Sequence, residues 1–294
     1  FIILIYMKFE KPHYITDERL SHFIAEALAE DVGNGDHSTL ASVSDDLTSR
    51  AHLLVKDDCV LAGVELASMI FKQYDEGLTI ESMKCDGDHA KVGDVVFVVS
   101  GKARSILTVE RFVLNCMQRM SGIATTTHRA MKLLEGTKTQ LLDTRKTTPN
   151  FRMFEKWAVR IGGGTNHRFG LYDMIMLKDN HVDYAGGIVS AVERTKEYLQ
   201  RTGLDLKIEL EVRNLEEVKG ALAVGGVDII MLDNMSVEDM ATAVKLIGDR
   251  AQTEASGNIT ADELVKIAST GVDFISSGAI IYNAPIVDLS LKAY

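Results

Sequence analysis

After about residue 108 the chain alternates between short apolar runs and helical patterns. Each run holds four to seven residues, is rich in β-forming types and ends in polar residues. This alternation predicts parallel strands joined by crossover helices, and six or more such units favour a barrel over an open sheet. The runs are TQLLDT, MIMLKDNH, LKIELEV, VDIIMLDN, the stretch before TEASGNI, and VDFISSGA, with helical patterns such as NLEEVKGALAV and SVEDMATAVKLI between them.

The first part of the chain mixes helices and strands without a steady repeat. Apolar residues at helical spacing predict a helix over residues 16–31, and Thr16 suits its start. RAHLLVKDDCVLAG, from residue 50, predicts strand, turn and strand, and a helix follows over 62–76. A Val-rich strand with a Gly turn lies within 90–108, before the long helical pattern VERFVLNCMQRMSGIATTTHRAMKLL. Such a mixture is typical of an α+β domain.

The composition is that of a globular protein. The chain has 294 residues, 46% of them hydrophobic and 25% charged, which is enough for one large domain or two ordinary ones. Three cysteines (Cys59, Cys85, Cys116) lack zinc spacing and are expected to be buried or incidental thiols in a reducing compartment. No apolar run reaches membrane-spanning length, so the expected location is the cytoplasm. The opening FIILIYM is interpreted as an extension upstream of Met7, or as a short edge strand.

One segment opposes the charge of the whole chain. The net charge is −10, yet residues 143–181 hold seven Lys or Arg against four acids. Nucleic acid would favour a broad basic face, so these concentrated cations predict a pocket for a small, multiply charged anion. Arg offers a planar fork and Lys a point charge, which suits a ligand with both carboxylate and phosphate groups. The seven cations are Arg145, Lys146, Arg152, Lys156, Arg160, Arg168 and Lys178.

Two parts of this segment are candidates for anion binding. Arg145 and Lys146 follow a predicted strand and precede TTP, a turn that offers backbone N–H groups and hydroxyls. His167 and Arg168 end the loop GGGTNHR, which is neither a P-loop nor a dinucleotide fingerprint. A solvated cationic face and an ordinary turn are the alternative interpretations.

Further candidates lie at the ends of predicted strands. Lys178 ends MIMLK, where it either pairs with phosphate or carboxylate or serves as a Schiff-base amine. Glu211 and Asp233 each close a strand, and such carboxylates can hold Mg²⁺, bind sugar hydroxyls, act as acid and base, or only form salt bridges. Turns whose N–H groups suit a phosphate, unless they are merely structural, contain Ser256, Gly257, Ser277 and Gly278.

Several long motifs occur in a fixed order along the chain. They are DTRKTTP, RIGGGTNHRFGLYDMIMLKDNH, IIMLDNMS, EASGNIT and TGVDFISSGA, preceded by EDVGNGDHST, AGVELA and VERFVLNCMQRMSGIAT. Together they closely resemble quinolinate phosphoribosyltransferase (nicotinate-nucleotide pyrophosphorylase, carboxylating), from about Tyr14 to Ala284. Two departures from the family pattern are Asn258, where a second Gly is commoner, and Gly225-Gly226, which looks like a one-residue insertion.

The resemblance implies an α/β protein with an N-terminal α/β sandwich and a C-terminal incomplete (β/α) barrel of six or seven parallel strands. The sandwich would span 7–115, joined by the tail 282–294, and the barrel would span 116–281. The family also implies a homodimer, or a hexamer of dimers, whose site borrows from the neighbouring subunit. The implied reaction joins quinolinate to phosphoribosyl pyrophosphate with Mg²⁺, giving nicotinate mononucleotide, pyrophosphate and CO₂ in de novo NAD biosynthesis.

The resemblance also implies a role for each candidate residue. Quinolinate carboxylates would be held by Arg145, His167 and Arg168, with Arg111 contributed across the subunit interface. The remaining cations of the segment are then expected to be helix-surface charges, namely Arg152, Lys156 and Arg160. The expected catalytic residues are Lys146 and Lys178, near both substrates, and Glu211 and Asp233, on the ribose hydroxyls and Mg²⁺. Phosphate would be received by Ser256, Gly257, Ser277 and Gly278.

Three other functions are compatible with parts of this pattern. A paralogue of the same fold, found with molybdenum-uptake genes, would lack the Arg and His set that is intact here. A Schiff-base aldolase barrel would use Lys178 as its nucleophile. A non-catalytic sensor of a phosphorylated metabolite would bind its ligand without turnover.

Overall fold

The computed structural model describes residues 11–294, apart from the side chain of residue 261. The expectations for the opening residues, an upstream extension or an edge strand, fall outside the described residues. The chain forms two compact units. Unit 1 comprises the chain up to 128 together with 148–163 and 280–294, and unit 2 comprises 129–147 and 164–279. These units are defined by contacts in space, whereas the expected boundaries divide the sequence into domains. The boundaries expected at 115/116 and 281/282 therefore stay predictions.

The helices and strands of the described chain are as follows. The helices are α1 Asp17–Val32, α2 His37–Ser42, α3 Val64–Tyr74, α4 Ala103–Leu133, α5 Arg152–Ile161, α6 Asp179–Ala185, α7 Ile188–Thr202, α8 Leu215–Val224, α9 Val237–Ile247, α10 Ala261–Ala268 and α11 Ala279–Tyr282. The strands are β1 Thr48–Val55, β2 Cys59–Val60, β3 Thr79–Ser82, β4 His89–Ala90, β5 Val95–Lys102, β6 Gln140–Leu142, β7 Ile175–Leu177, β8 Ile208–Val212, β9 Ile229–Asp233, β10 Gln252–Ser256, β11 Phe274–Ser276 and β12 Leu289–Ala293.

Unit 1 is built on a four-stranded antiparallel sheet with the strand order β12-β1-β5-β3. Buried side chains alternate along the second half of β1, as expected for a strand with one face on a core. The tail strand β12 places Leu291 opposite Leu53 of β1. Helix α3 packs on the sheet, since the Phe71 ring meets Phe97 of β5 edge-on at 6.0 Å. This is the expected α/β sandwich.

Helix α4 gives unit 1 polar groups as well as apolar surface. Its buried Ser121 and Thr125 hydroxyls accept the N–H groups of Ala62 at 3.0 Å and Val60 at 2.9 Å. These bonds satisfy backbone donors that would otherwise be buried without a partner. Gly122, on the same helix, lies against the tail, where a Cβ would be 1.9 Å from the Pro285 carbonyl oxygen. The close approach of these two backbones therefore requires glycine at 122.

Helix α5 corrects one expectation. Its residues 154–159 are all buried, so the helix is covered on every side rather than along one stripe. Arg160 is exposed and Arg152 is partly buried, whereas Lys156 is completely buried. The prediction of helix-surface charges is thus wrong for Lys156, because it assumed that α5 has a solvent face along its whole length.

Unit 2 contains six parallel strands in the order β6-β11-β10-β9-β8-β7. Helices follow these strands, as in a (β/α) barrel. Among the described strands no pairing joins the two end strands, β6 and β7, so the barrel is incomplete. At this opening Thr165 forms an isolated parallel bridge with Leu142 of β6. The predicted fold, a sandwich and an incomplete parallel barrel, is confirmed.

Most elements fall where the hydrophobic pattern placed them. Helix α1 starts where predicted, with the Thr16 side chain accepting the Arg19 N–H at 3.3 Å. The short helix α2 was not predicted from the sequence; Asp36 caps it by accepting the Thr39 N–H at 3.0 Å. Within the described residues no helix combines the length and apolarity needed to cross a bilayer.

The contact at Gly122 predicts an unusual response to alanine. An alanine in a helix interior normally stabilises by about 0.5–1 kcal/mol relative to glycine, and Gly220→Ala in α8, whose Cβ would meet its nearest atom at 4.0 Å, should do so. Gly122→Ala should instead lower the free energy of unfolding by about 1–3 kcal/mol, because its Cβ forces the tail away. Urea unfolding followed by circular dichroism measures both; a gain of stability at both positions would contradict the packing described for unit 1.

Candidate active site

The turn after β6 presents two cations at the carboxyl ends of the parallel strands. Arg145 and Lys146 are both exposed. The turn is fixed by its own bonds: the Thr147 N–H donates to the Arg145 carbonyl at 2.9 Å, and the Lys146 N–H donates to Thr144 Oγ1 at 3.0 Å. These two N–H groups are therefore already bonded within the protein. The expectation that the turn TTP offers free N–H groups to an anion is wrong for Thr147, whose N–H is bonded as described, and for Thr148, whose N–H donates to Glu155 at 2.8 Å. The side chains of Arg145 and Lys146 remain available to an anion.

A loop from 166 to 170 lies at the opening of the barrel and is held by two carboxylates, the buried Asp143 and the exposed Asp173. Asp143, fully buried after β6, accepts Asn166 Nδ2 at 2.6 Å and the His167 N–H at 2.9 Å. Asp173 accepts the N–H groups of Phe169 at 2.6 Å and Gly170 at 2.9 Å. We call residues 166–170 the cationic loop.

The guanidinium of Arg168, in the cationic loop, lies near that of Arg145. Arg168 donates through Nη1 to the Met174 carbonyl at 3.2 Å, and Nη2 is 3.5 Å from Met176 Sδ. Burial lowers the pKa of Arg168, and the neighbouring positive charge of Arg145 lowers it further. Two guanidinium groups held close enough to repel each other favour an anion bound between them. This pair is the strongest anion-binding feature of unit 2.

Behind the cationic loop lies a group that we call the buried triad: His167, Glu209 of β8 and Glu254 of β10. His167 Nε2 is 3.1 Å from a Glu209 oxygen and 3.3 Å from a Glu254 oxygen. Both glutamates are completely buried, and the His167 side chain is 5% exposed. Burial opposes an additional proton on His167 and the two carboxylates favour it, so the net effect raises the pKa at which this coupled group releases its protons, and burial raises the pKa of Glu209 to about 7. The triad as a whole therefore holds an additional proton at neutral pH.

Lys178 follows β7 and forms an ion pair with Glu211 of β8. Its Nζ lies 3.5 Å from a Glu211 oxygen, with the lysine side chain 51% exposed and the glutamate 9%. A Schiff-base lysine is usually activated by desolvation or by a neighbouring cation. The exposure of Lys178 and its carboxylate partner instead suit a charged lysine that contacts an anion.

Asp233 and Ser256 lie opposite each other at the ends of β9 and β10. Asn234 adopts a left-handed backbone with φ 51°, donates to Asp233 through Nδ2 at 2.7 Å, and donates its N–H to the Ser256 carbonyl at 2.9 Å. Gly257 has φ 109°, and a Cβ there would lie 2.2 Å from Asn234 Oδ1. Glycine is therefore required at 257, and the two strand ends form one fixed surface.

The remaining predicted residues lie in two places. Ser277 and Gly278 follow β11, and the Ser277 N–H donates to the Leu142 carbonyl at 3.0 Å, so at Ser277 the hydroxyl rather than the N–H is left for a ligand. Arg111 is exposed on α4 in unit 1. The structure thus brings the other predicted site residues together on the strand ends of unit 2, and places Arg111 on the other unit.

Glu209 and Glu254 were not predicted from the sequence. The signal was present: LKIELEV and QTEAS each carry a charged residue inside a short apolar strand, and burying an unpaired carboxylate is costly. LKIELEV was instead taken as an apolar run with Glu211 at its end. Since residues i and i+2 of a strand share a face, Glu209 points to the same side as Glu211.

Parallel strands that carry cations and carboxylates on their carboxyl ends define a barrel enzyme for small anionic substrates. Residues 123–292 match the C-terminal domain, and residues 36–121 the N-terminal domain, of quinolinate phosphoribosyl transferase. The chain belongs to the quinolinate phosphoribosyltransferase family. The family predicted from the sequence motifs is confirmed.

Individual relatives agree over nearly the whole chain. The nicotinate-nucleotide pyrophosphorylase (carboxylating), chloroplastic, of Arabidopsis thaliana is 46% identical over 290 residues, covering 93% of this chain and 82% of the relative. A probable enzyme of the same name from Synechocystis is 43% identical, covering 92% and 91%. Among solved structures, NadC from Streptococcus pyogenes is 39% identical with a TM-score of 0.89, covering 95% and 97%.

The buried triad predicts how stability depends on pH. A group whose pKa is raised on folding stabilises the native state while it is protonated. For Glu209 this contribution is complete below the ordinary pKa of 4.5 and is lost as pH rises through about 7. The amide in Glu209→Gln stays neutral without binding a proton, so the variant does not have this pH dependence. The melting temperature of the wild type should therefore exceed that of the variant by less at pH 10 than at pH 6.

Thermal unfolding in matched buffers at constant ionic strength measures this difference. Asp239→Asn, at an exposed carboxylate of α9, serves as the control for a general loss of one charge. A difference between wild type and Glu209→Gln that stays constant over this range would contradict the protonation assigned to the triad.

Proposed function

We propose that this protein is a carboxylating nicotinate-nucleotide pyrophosphorylase, which converts quinolinate and phosphoribosyl pyrophosphate into nicotinate mononucleotide, pyrophosphate and CO₂ in de novo NAD biosynthesis. The observation that carries the proposal is the presence of two guanidinium groups, Arg145 and Arg168, whose positive charges interact at the strand ends of a family member. Quinolinate carries two carboxylates on adjacent ring atoms, and a guanidinium binds a carboxylate through two parallel hydrogen bonds. The pair therefore suits one guanidinium for each carboxylate.

The same side chains orient the dicarboxylate for attack. Its ring nitrogen must face the anomeric carbon of the ribose, and holding two reactants in this geometry can supply much of the rate. Arg168 is supported from the protein side by the Met174 carbonyl, so it is fixed before the ligand arrives. His167, also predicted to bind a carboxylate, adjoins Arg168 in the cationic loop, but both of its ring nitrogens already face protein groups, so it supports Arg168 rather than contacting quinolinate.

The other substrate is bound through its phosphates and its ribose. Loss of pyrophosphate leaves a cation-like ribose carbon and builds negative charge on the leaving group, which Lys146 and Lys178 stabilise where it develops. Glu211 and Asp233 bind the ribose hydroxyls. The phosphate groups are received on the surface formed by Ser256, Gly257, Ser277 and Gly278.

The donor set fits Mg²⁺, which Glu211 and Asp233 would hold. Glu211 lies opposite Met231, and Asp233 is two residues further along the same strand, so both carboxylates lie on one face of neighbouring strands. In the described part of the chain they belong to no larger group of acidic, His or Cys ligands. Two carboxylates alone suit Mg²⁺, which keeps several waters and takes substrate phosphate oxygens. When bound, the ion neutralises charge on the pyrophosphate.

Decarboxylation follows from the charge of the transferred ring. Attachment of the ribose makes the ring nitrogen a pyridinium, and departure of CO₂ from the adjacent carbon leaves a carbanion there. Arg145, Arg168 and Lys178 surround this position with positive charge and stabilise the developing carbanion. One proton from water then replaces the lost carboxylate on that carbon and completes the nicotinate ring, so the arrangement needs few proton donors, in keeping with a site rich in cations.

The proposed assembly is a homodimer, or a hexamer of dimers, in which Arg111 is contributed across the interface. Arg111 is exposed on α4 and so is available to a second chain. The cytoplasmic location stays a prediction, since relatives are named chloroplastic in Arabidopsis thaliana and mitochondrial in Nicotiana tabacum.

The activity is tested by mixing the pure protein with quinolinate, phosphoribosyl pyrophosphate and Mg²⁺ and following CO₂ and nicotinate mononucleotide. Arg145→Ala should raise the KM for quinolinate by about ten- to a hundredfold, because loss of a charged hydrogen bond costs about 1.5–3 kcal/mol. The KM for phosphoribosyl pyrophosphate should change much less. Arg160→Ala removes an exposed arginine of the same basic segment and should leave both constants unchanged.

Two results would count against this proposal. Absence of both products from folded wild-type protein would overturn the assigned reaction. An equal rise of both KM values in Arg145→Ala would overturn the assignment of that residue to quinolinate.

Contribution of Arg111 across the interface is tested by subunit mixing. Arg111→Ala and Asp233→Ala should each be inactive alone. A mixed dimer would contain one site with both residues intact, so random exchange should restore no more than about a quarter of wild-type activity. Recovery that increases with subunit exchange supports the assignment, and no recovery despite proven exchange would refute it.

A further inference from the structure

The two glutamates of the buried triad have no role in the proposed reaction, yet their burial is costly. Within the described chain, none of the four carboxylate oxygens of Glu209 and Glu254 has a well-aligned hydrogen-bond donor, although His167 Nε2 lies 3.1 Å from one oxygen of Glu209 and 3.3 Å from one of Glu254. Glu155 in unit 1, equally buried, shows the ordinary arrangement: its oxygens accept from Arg119 at 2.8 Å and from the Thr148 N–H at 2.8 Å. For Glu209 and Glu254 the nearby compensating group is the His167 imidazole. Such unpaired buried groups call for a functional account.

A metal ion and a proton are the two candidates for the centre of the triad, because one imidazole and two carboxylates form a possible ligand set. The hydrogen bond at the second ring nitrogen, His167 Nδ1, distinguishes the metal ion from the proton. His167 Nδ1 accepts the Arg168 N–H at 2.7 Å, and a backbone N–H can only donate. A neutral ring that accepts at Nδ1 carries its proton on Nε2, which leaves no lone pair there for a metal. Metal-bound histidines show the reverse, with the second nitrogen donating to a carbonyl or carboxylate.

The His167 ring therefore connects the two buried glutamates to Arg168, a residue of the proposed quinolinate site. One side of the imidazole meets Glu209 and Glu254 through Nε2, and the other side holds the backbone of Arg168 through Nδ1. We propose that Glu209 and Glu254 are positioning residues that fix the His167 ring by its Nε2–H, and so set the Arg168 guanidinium for quinolinate. The inference rests on the proposed function and deepens it, since it assigns residues that select the dicarboxylate without touching it.

The charges of the triad agree with this role. Two carboxylates buried together repel each other, which favours an additional proton among them. The Arg168 N–H donates to Nδ1, so that proton resides on a carboxylate rather than on the ring. The ring then keeps a single tautomer and a single orientation, whereas a histidine without these partners would titrate and rotate.

The test is Glu254→Gln, a substitution of the same shape, assayed after wild type has been shown to convert quinolinate and phosphoribosyl pyrophosphate. The KM for quinolinate should rise by about tenfold or more, since small misplacement of a binding group has large effects on rate, while the KM for phosphoribosyl pyrophosphate should not change. Glu209→Gln should give the same split, which keeps the test open if one variant fails to fold. Asp273→Asn is the matched control: it removes a carboxylate that accepts the Thr253 N–H on the same strand at 2.9 Å, and it should lower stability without this split.

A second measurement follows the ring itself. With ¹⁵N-labelled histidine, the signal missing from His167→Gln identifies His167, and in wild type it should show the Nε2–H tautomer without titration between pH 6 and pH 8. In Glu254→Gln it should show mixed tautomers and titrate. A functional wild type with an unchanged quinolinate KM or unchanged His167 signal in Glu254→Gln would overturn the inference. The inference would also be overturned if Asp273→Asn changed the two KM values in the same way as Glu254→Gln. A metal ion bound at one per chain in wild type and lost in Glu254→Gln would overturn it as well. A wild type without turnover would instead refute the proposed function.

Discussion

The carboxylate of Asp143 is the contact on which the candidate site depends. The barrel of unit 2 lacks pairing between its end strands, β6 and β7, and an open edge leaves backbone groups that must find other partners. Thr165 takes up part of that edge by bridging to Leu142. Asp143 then fixes the following residues through Asn166 Nδ2 and the His167 N–H. The cationic loop thus occupies the place where a complete barrel would have continuous sheet, and the gap in the fold becomes the origin of the site.

Repulsion between Arg145, in the turn after β6, and Arg168, in the cationic loop, is tolerated because the protein supports each side chain separately. Arg145 stands on a turn closed by its own hydrogen bonds, whereas Arg168 is partly buried and held by the Met174 carbonyl. Burial and the charge of Arg145 lower the pKa of Arg168, so the native state carries an electrostatic cost that a bound dianion relieves. The same repulsion between the two arginines therefore raises the affinity for an anionic ligand and lowers the local stability of the free protein.

The sequence allowed the parallel strands, their polar ends and the anion-binding segment to be predicted, because each depends on local pattern. Apolar runs with polar ends marked β6 to β11, and most candidate cations and carboxylates lie where those ends meet. What could not be predicted depends on contacts between distant residues. Lys156 was predicted to lie on the surface, but α5 is covered on every side. The N–H groups after Arg145 were predicted to be free for an anion, but they already form hydrogen bonds within the protein. Glu254 and His167 are close only because the barrel folds β10 towards the cationic loop.

Depth along a strand separates the roles of two carboxylates that are chemically alike. Glu209 and Glu211 occupy the same face of β8, two residues apart. Glu211, at the rim, is 9% exposed and pairs with Lys178, so it can exchange that partner for a ribose or a cation. Glu209 lies one step deeper, is fully buried and has the His167 ring 3.1 Å away. A low dielectric makes that charge expensive, so the deeper carboxylate is suited to hold a proton and a ring in place. One strand thereby supplies both a ligand-binding group and its internal support.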